Sequence, residues 1–202
     1  MKYSSIIFDL DGTLIDSRQG ILMALQDACH AVDGKIRSFD ISLIGPPVRD
    51  ILKRAVPSFS DEEVNIASAK FRSIYDNHGW SGYSLFLDVI ETIHQISSNG
   101  IQMHIATYKP ELPTSKICHD AGLDVYMSSI RSFDEKTQAT KKDLIFDFKN
   151  QDALLVGDTY SDYEVARALK LDYVHCSYGF GDVPGCKHSI DRFSVLRELL
   201  HD

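Results

Sequence analysis

The chain has 202 residues, 44% hydrophobic and 25% charged, the make-up of an ordinary soluble globule long enough for one main domain and a smaller insert. A formal net charge of −8 works against a nucleic-acid or anionic-membrane surface, which needs a basic stripe, but it leaves room for a small phosphate ester held beside a cation. No apolar run approaches the roughly 18 residues of a membrane span. The acid at Asp9 stands too early for a signal-peptide core. Cys29, Cys118, Cys176 and Cys186 form no C-x-x-C pair and read as reduced thiols of a cytoplasmic protein.

In chain order, Ser4 to Phe8 reads as a short buried strand, and Asp9-Leu10-Asp11-Gly12-Thr13 turns the chain directly after it. From Asp16 or Ser17 the spacing of Ile21, Leu22, Leu25, Ala28, Cys29 and Val32 predicts a helix, with Gly34 as its stop. Gly45-Pro46-Pro47 opens a second helix carrying Val48, Ile51, Leu52 and Ala55. Ser60-Asp61-Glu62-Glu63 is a capping box ahead of a third, with Val64, Ala67, Phe71 and Ile74 on one face. Residues 16 to 80 therefore read as helix throughout.

After Gly82 strand and helix alternate. A helix over Val89 to Ile96 ends near Asn99-Gly100, a strand runs from Ile101 to Thr107, and a helix from Ser115 to Ala121 stops at Gly122. Strands are expected at 127–130, 153–156 and 173–177, with helices at 141–148 and 162–169 and a closing helix around Val195 to Leu200. Such alternation implies right-handed crossovers and a parallel sheet covered on both faces. The expected architecture is α/β: a Rossmann-like parallel-sheet core of residues 1–15 and 82–202, helices on both faces, and an inserted helical domain at 16–81.

Ligands of open parallel sheets bind outside the carboxyl ends of the strands. At those ends stand Asp9 and Asp11, Thr107, and Gly157-Asp158 with Asp162 behind it, while Lys141 and Lys142 open a helix. Carboxylates about 4 Å apart repel by roughly 4 kcal/mol per pair at an effective dielectric of 20, so the rim demands shared protons or a cation. All-oxygen donors with space for water suit Mg²⁺ better than Ca²⁺. A calcium-loop reading fails, since the expected glycine at the sixth position is Leu14 and the expected glutamate at the twelfth is Gly20.

Asp9-Leu10-Asp11-Gly12-Thr13-Leu14, Ala106-Thr107-Tyr108-Lys109-Pro110, Lys141, and Gly157-Asp158-Thr159-Tyr160-Ser161-Asp162 resemble, in order, the four motifs of the haloacid dehalogenase (HAD) superfamily. The helical insert after the first motif is similar to the helical cap of its subfamily of phosphoglycolate phosphatases and β-phosphoglucomutases. The resemblance implies that Asp9 attacks phosphorus and becomes an aspartyl phosphate, and that Asp11 first protonates the leaving oxygen and then activates water. It also implies Mg²⁺ held by Asp9, the Asp11 carbonyl and Asp158, with Asp162 at the ion or its water. Thr107 and Lys141 would grip the phosphoryl group, with Gly12 and Tyr108 beside it. Lys141 is preferred to Lys142 as the motif lysine. Asp11, which true dehalogenases of the superfamily lack, favours phosphoryl transfer.

The implied function is a Mg-dependent phosphatase acting on a small phosphorylated metabolite such as phosphoglycolate. A phosphosugar mutase and a non-catalytic phosphate-binding protein remain as alternatives. Arg18, Arg49 and Lys53 are candidates to meet a second anionic group of the substrate. Where relatives read Tyr-Pro-Gly-Val this chain has Phe86-Leu87-Asp88-Val89, a departure at the return from the insert. Tyr178-Gly179-Phe180-Gly181 resembles a late core loop and fails as a dinucleotide fingerprint, because it follows a strand without opening a helix. Cys118 and His119, adjacent on a helix, would point about 100° apart and not meet.

Overall fold

The structure, a computed structural model, describes residues 3–44, 47–134 and 136–201. Strand β1 (Ser5–Phe8) is buried along its whole length, as expected of a strand covered on both faces. A short β2 (Ile15–Asp16) precedes the helices α1 (Arg18–Asp33), α2 (Val48–Ala55) and α3 (Asp61–Asn77), and β3 (Ser84–Leu85) follows them. The rest alternates: α4 (Val89–Ser98), β4 (Gln102–Pro110), α5 (Glu111–Asp120), β5 (Ser129–Phe133), α6 (Lys141–Leu144), β6 (Ala153–Gly157), α7 (Tyr160–Leu169), β7 (Asp172–Cys176), β8 (Ser189–Ile190) and α8 (Leu196–His201).

Six strands form one sheet in the order β5-β4-β1-β6-β7-β8, every neighbouring pair parallel, with helices on both sides. β1 lies between β4 and β6, with Phe8 level with Ile105 on one side and Val156 on the other. The chain thus returns twice to flank its own first strand. Successive β1 side chains point to opposite faces. Ile7 joins Leu155, Ile145, Phe148, Ala166 and Leu169 in a buried cluster, and Phe8 packs on Phe193 with ring centroids 5.6 Å apart.

The chain divides into two compact units, one of residues up to Asp16 with those from Leu85 onward, the other Ser17–Ser84. In the second unit α1 and α2 both pack on α3. The Ser60–Glu63 capping box forms at the start of α3, with the Glu63 amide donating to Ser60 Oγ (3.2 Å) and the Ser60 amide to Glu63 Oε2 (2.8 Å). Gly34 ends α1 at φ +72°. Gly20 donates its amide to Gly82 O at 2.8 Å, and a Cβ on Gly20 would stand 2.2 Å from Gly79 O, so the start of α1 and the 79–82 turn meet backbone to backbone.

Several boundaries differ from the sequence reading. β4 continues to Pro110, past the expected end at Thr107. α5 begins at Glu111, not Ser115, because Pro113 falls in the first turn, where an amide hydrogen has no intrahelical partner. The expected helix over 141–148 is one turn of α6 and then a 3₁₀ turn at Phe146–Phe148, since the chain leaves the helix to bury Ile145 and Phe148. The strand expected at 127–130 lies at Ser129–Phe133. β8 has two residues, too few for any alternation to show. Gly45 and Pro46 of the expected second-helix opening lie outside the described residues; α2 itself starts directly after Pro47.

Candidate active site

Two acid loops leave adjacent strands at the carboxyl edge of the sheet. Asp9 follows β1, its amide donating to Val156 O (2.9 Å), and the chain then folds back so that the amides of Thr13, Leu14 and Ile15 all converge on Leu10 O. Gly12 takes φ +84°, and its own amide donates to Ile15 O (2.8 Å). What this glycine supplies is room: a Cβ would stand 2.1 Å from Asp158 Oδ2. Asp158 follows β6, and Thr159 caps α7 in a box with Asp162. Thr159 donates through its amide and hydroxyl to Asp162 Oδ2 (3.1 and 2.6 Å).

Lys141, the first residue of α6, reaches between the loops. Its buried Nζ lies 2.5 Å from Asp9 Oδ1 and also pairs with Asp162 Oδ1. A one-turn helix cannot hold itself, since nucleation fixes three residues for one hydrogen bond. Both ends of α6 are clamped: the Thr140–Asp143 capping box closes the first, and Arg131 on β5 donates to Leu144 O (2.6 Å) at the last. Arg131 also pairs with Asp147 and lies over the Phe148 ring. Lys142, next in sequence, is exposed.

Oxygens of Asp9, Asp158 and Asp162 lie within 4.8 Å of one another, and all three residues are buried. With all three carboxylates ionised, one ammonium leaves two negative charges in excess. Burial raises the Asp9 carboxyl well above its ordinary range, against the pull of Lys141. Burial likewise pushes Asp158 up to about 6, although the Phe180 amide bonds its Oδ2 at 2.7 Å. On Lys141 burial opposes the charge, but Asp162 and Asp9 outweigh it and hold the ammonium above the usual lysine range. Asp158 Oδ1 is buried and has no hydrogen-bond partner among the described residues. An orphaned carboxylate oxygen beside surplus negative charge, among hard oxygen donors, fits a divalent cation such as Mg²⁺.

The remaining predicted residues divide. Thr107 is buried near the end of β4, where the register shifts between Ala106 and Pro110; such a bulge re-aims side chains at a strand end. Its Oγ1 accepts from the Lys109 amide (3.1 Å). Asp11 is part-exposed, and its Oδ1 lies 3.0 Å from the buried Nζ of Lys109. Lys109 belongs to the second motif read from the sequence but carried no site role there, although it stands two residues after Thr107 and therefore on the same face of a strand. The Tyr108 side chain points elsewhere, half exposed with its ring 6.5 Å from Phe133. In the helical unit Arg49 and Lys53 are exposed and both pair with Asp61. Cys118 is buried, its thiol pushed up to about 12, while exposed His119 pairs with Asp124, so the two do not form a couple.

Groups on β7 fix the second acid loop from behind. The Tyr173 hydroxyl donates to Gly157 O (3.0 Å), and His175 Nε2 lies 3.2 Å from Asp158 O with Ser189 Oγ 3.3 Å from its Nδ1. A carbonyl only accepts, so this geometry assigns the ring hydrogen to Nε2. Burial keeps the Tyr173 and Tyr178 phenols protonated, hence donors.

A family model described as haloacid dehalogenase-like hydrolase matches residues 6–176. A phosphoglycolate phosphatase of Pectobacterium atrosepticum is 28% identical over 213 residues, covering 96% of this chain and 91% of the relative. The tyrosine-protein kinase PtkA of Mycobacterium tuberculosis is 27% identical over 185 residues and 87% of this chain, which spans only 62% of that kinase's length. A haloacid dehalogenase-like family hydrolase of Streptococcus pneumoniae superposes with a TM-score of 0.83 at 22% identity, covering 99% of this chain and 98% of its own, a likeness of fold.

Proposed function

The chain belongs to the haloacid dehalogenase-like hydrolases, and from that premise we propose that it is a phosphatase that hydrolyses a small phosphate monoester through an aspartyl phosphate on Asp9. The observation that carries the reading is the buried Lys141 bridging Asp9 and Asp162 beside the unbonded Asp158 Oδ1. In this reading the sheet unit does the chemistry and the helical unit, Ser17–Ser84, is the cap. Phosphoglycolate is the first substrate to try, on the likeness to phosphoglycolate phosphatases. Four free cysteines suit a reducing, cytoplasmic setting. Among the described residues no helix is long and apolar enough to cross a membrane.

Lys141 grips Asp9 Oδ1, leaving Oδ2 to attack phosphorus, and the ammonium stays charged to balance the phosphoryl oxygens as negative charge builds on them. Asp11 gives a proton to the departing ester oxygen, then takes one from the water that cleaves the acyl phosphate. Lys109 holds the Asp11 carboxylate by one oxygen, which fixes the carboxylate for both transfers. Thr107, buried at the bulge, contributes its hydroxyl to the phosphoryl group. Asp9, the Asp11 carbonyl and Asp158 would hold Mg²⁺, which supplies neutralising charge for bringing an anionic nucleophile and an anionic ester together. Both oxygens of Asp162 already accept hydrogen bonds, so its part is to seat Lys141 and start α7.

The test is rapid quench of the protein with phosphoglycolate and a panel of sugar and nucleoside monophosphates in Mg²⁺. Wild-type protein should release inorganic phosphate and show a transient 80-Da adduct (about the mass of one phosphoryl group, HPO₃) on the peptide containing Asp9. Asp9→Asn should show neither. Phosphate release that survives Asp9→Asn would sink the nucleophile assignment, and phosphoryl return to a sugar without net release would mean a mutase.

A further inference from the structure

The turn after β7 touches both acid loops, and the reaction as described gives it no part. The Tyr178 hydroxyl donates to Thr13 O (2.8 Å) in the loop that leaves Asp9. Two residues on, the Phe180 amide donates to Asp158 Oδ2 (2.7 Å) in the loop after β6. Between them Gly179 sits so close that a Cβ would stand 2.3 Å from Asp158 Cβ and 2.4 Å from Gly12 O. The Tyr178 ring meets Phe86 edge-on, centroids 4.7 Å apart, and the Phe86 amide donates to Leu14 O (3.1 Å). Phe86 is the first residue of the Phe86-Leu87-Asp88-Val89 stretch, and Asp88 there takes φ +64°.

Three contacts therefore converge on one geometric quantity, the separation of the Asp9 loop from Asp158. The Phe180 amide occupies Oδ2, which leaves Oδ1 as the open oxygen of Asp158. Carboxylates of like charge repel, and Lys141 answers only Asp9 and Asp162; the turn after β7 adds a second tie between the loops, made on Asp158 itself.

We propose that Tyr178 is a positioning residue that braces the Asp9 loop against Asp158 for a divalent cation, acting through the Thr13 carbonyl and the turn that carries the Phe180 amide. Its hydroxyl bonds the Thr13 carbonyl and its ring meets Phe86, so it acts through those groups. The inference rests on the cation-holding reading of the site. Groups that orient metal ligands from behind are typically worth 10- to 100-fold in metal affinity. Tyr178→Phe keeps the ring on Phe86 and removes the hydroxyl's bond to Thr13 O together with its contact to the buried Cys176 thiol.

The experiment titrates Mn²⁺, a hard-ion probe, against wild type and Tyr178→Phe, following the loss of the free-ion EPR signal. The variant should melt without cation within a few degrees of wild type, as expected for the loss of one or two hydrogen bonds in a chain this size. Its Mn²⁺ dissociation constant should rise about tenfold. Turnover should need correspondingly more Mg²⁺ and return to the wild-type kcat at saturation, with KM for the ester unchanged; a merely structural loss would not be rescued by cation. Phe86→Leu, which loosens the ring but spares the hydroxyl, should shift the constant in the same direction by less, and carries the test should Tyr178→Phe not fold. Equal Mn²⁺ affinity in wild type and variants overturns the role of Tyr178 alone. Wild-type protein that does not bind Mn²⁺ overturns the cation site and this proposal with it.

Discussion

The two units handle charge in opposite ways. In the helical unit charges pair nearer in sequence: Arg37 with Asp33, four positions away and part-buried, and Lys53 and Arg49 with exposed Asp61. Hydrogen bonding to Arg37 lowers the Asp33 carboxyl, an effect confined to that local pair. At the rim of the sheet unit, unlike its exposed pairs elsewhere, charges meet across the sequence and out of water: Lys141 and Asp9 are 132 positions apart and both buried. Exposed ion pairs contribute little, because solvent screens them and side-chain entropy opposes them. Buried ones are expensive to leave unmatched. In the proposed reading the buried, long-range charges of the rim carry the reaction, and the local pairs of the helical unit take no part in it.

That contrast can be broken most directly at Lys141. Lys141→Met should lower kcat by about 10²–10³-fold, the loss typical of a preorganised charge aimed at the transition state, and steady-state phosphate release measures it. Gly12→Ala forces an L-residue into the left-handed region, about 1–2 kcal/mol, and drives its Cβ into Asp158. Urea unfolding should show at least that loss, and activity should fall further than the stability change explains.

A weaker probe is His104, buried on β4 with Nδ1 2.8 Å from Ser129 Oγ and its ring against Phe148. Burial, and then Arg131, lower its pKa below the ordinary imidazole value. The fold therefore favours the neutral ring. Its stabilising contribution is complete above the unfolded value of about 6.5 and is lost as pH falls from there through the lowered folded value. Urea midpoints between pH 7.5 and 5 should decline, and His104→Leu should flatten that decline. Smallest of all, Lys53→Ala in the helical unit should leave the melting temperature unchanged by differential scanning calorimetry, whereas a large drop would mean the exposed pairs matter more than argued.

Much of the sheet was legible because its strands are apolar blocks bounded by helices, and the rim was legible because acids and glycines fall at the strand ends. Asp9, Asp158, Asp162 and Lys141 do come together. What stayed hidden has physical reasons. Lys109 looks like any charged residue until the strand is known to run on to Pro110, which carries it into the buried rim. The Phe180 amide has no side-chain signature at all. The helix expected from Ser115 begins at Glu111, because Pro113 is harmless in a first turn. The bulge after Ala106 and the one-turn length of α6 follow from packing against β5 and the core, which no local pattern records.

The strand order carries a consequence for biosynthesis. The first of the described strands, with three of its four residues Ile6, Ile7 and Phe8, occupies a central place whose neighbours on either side begin at Gln102 and Ala153. At about 5–20 residues per second, the nascent chain keeps this greasy segment unmated for roughly 5–20 s before its first sheet neighbour emerges from the ribosome. A chain that builds from its own middle outward in this fashion should depend on chaperone shelter during translation far more than its finished stability would suggest.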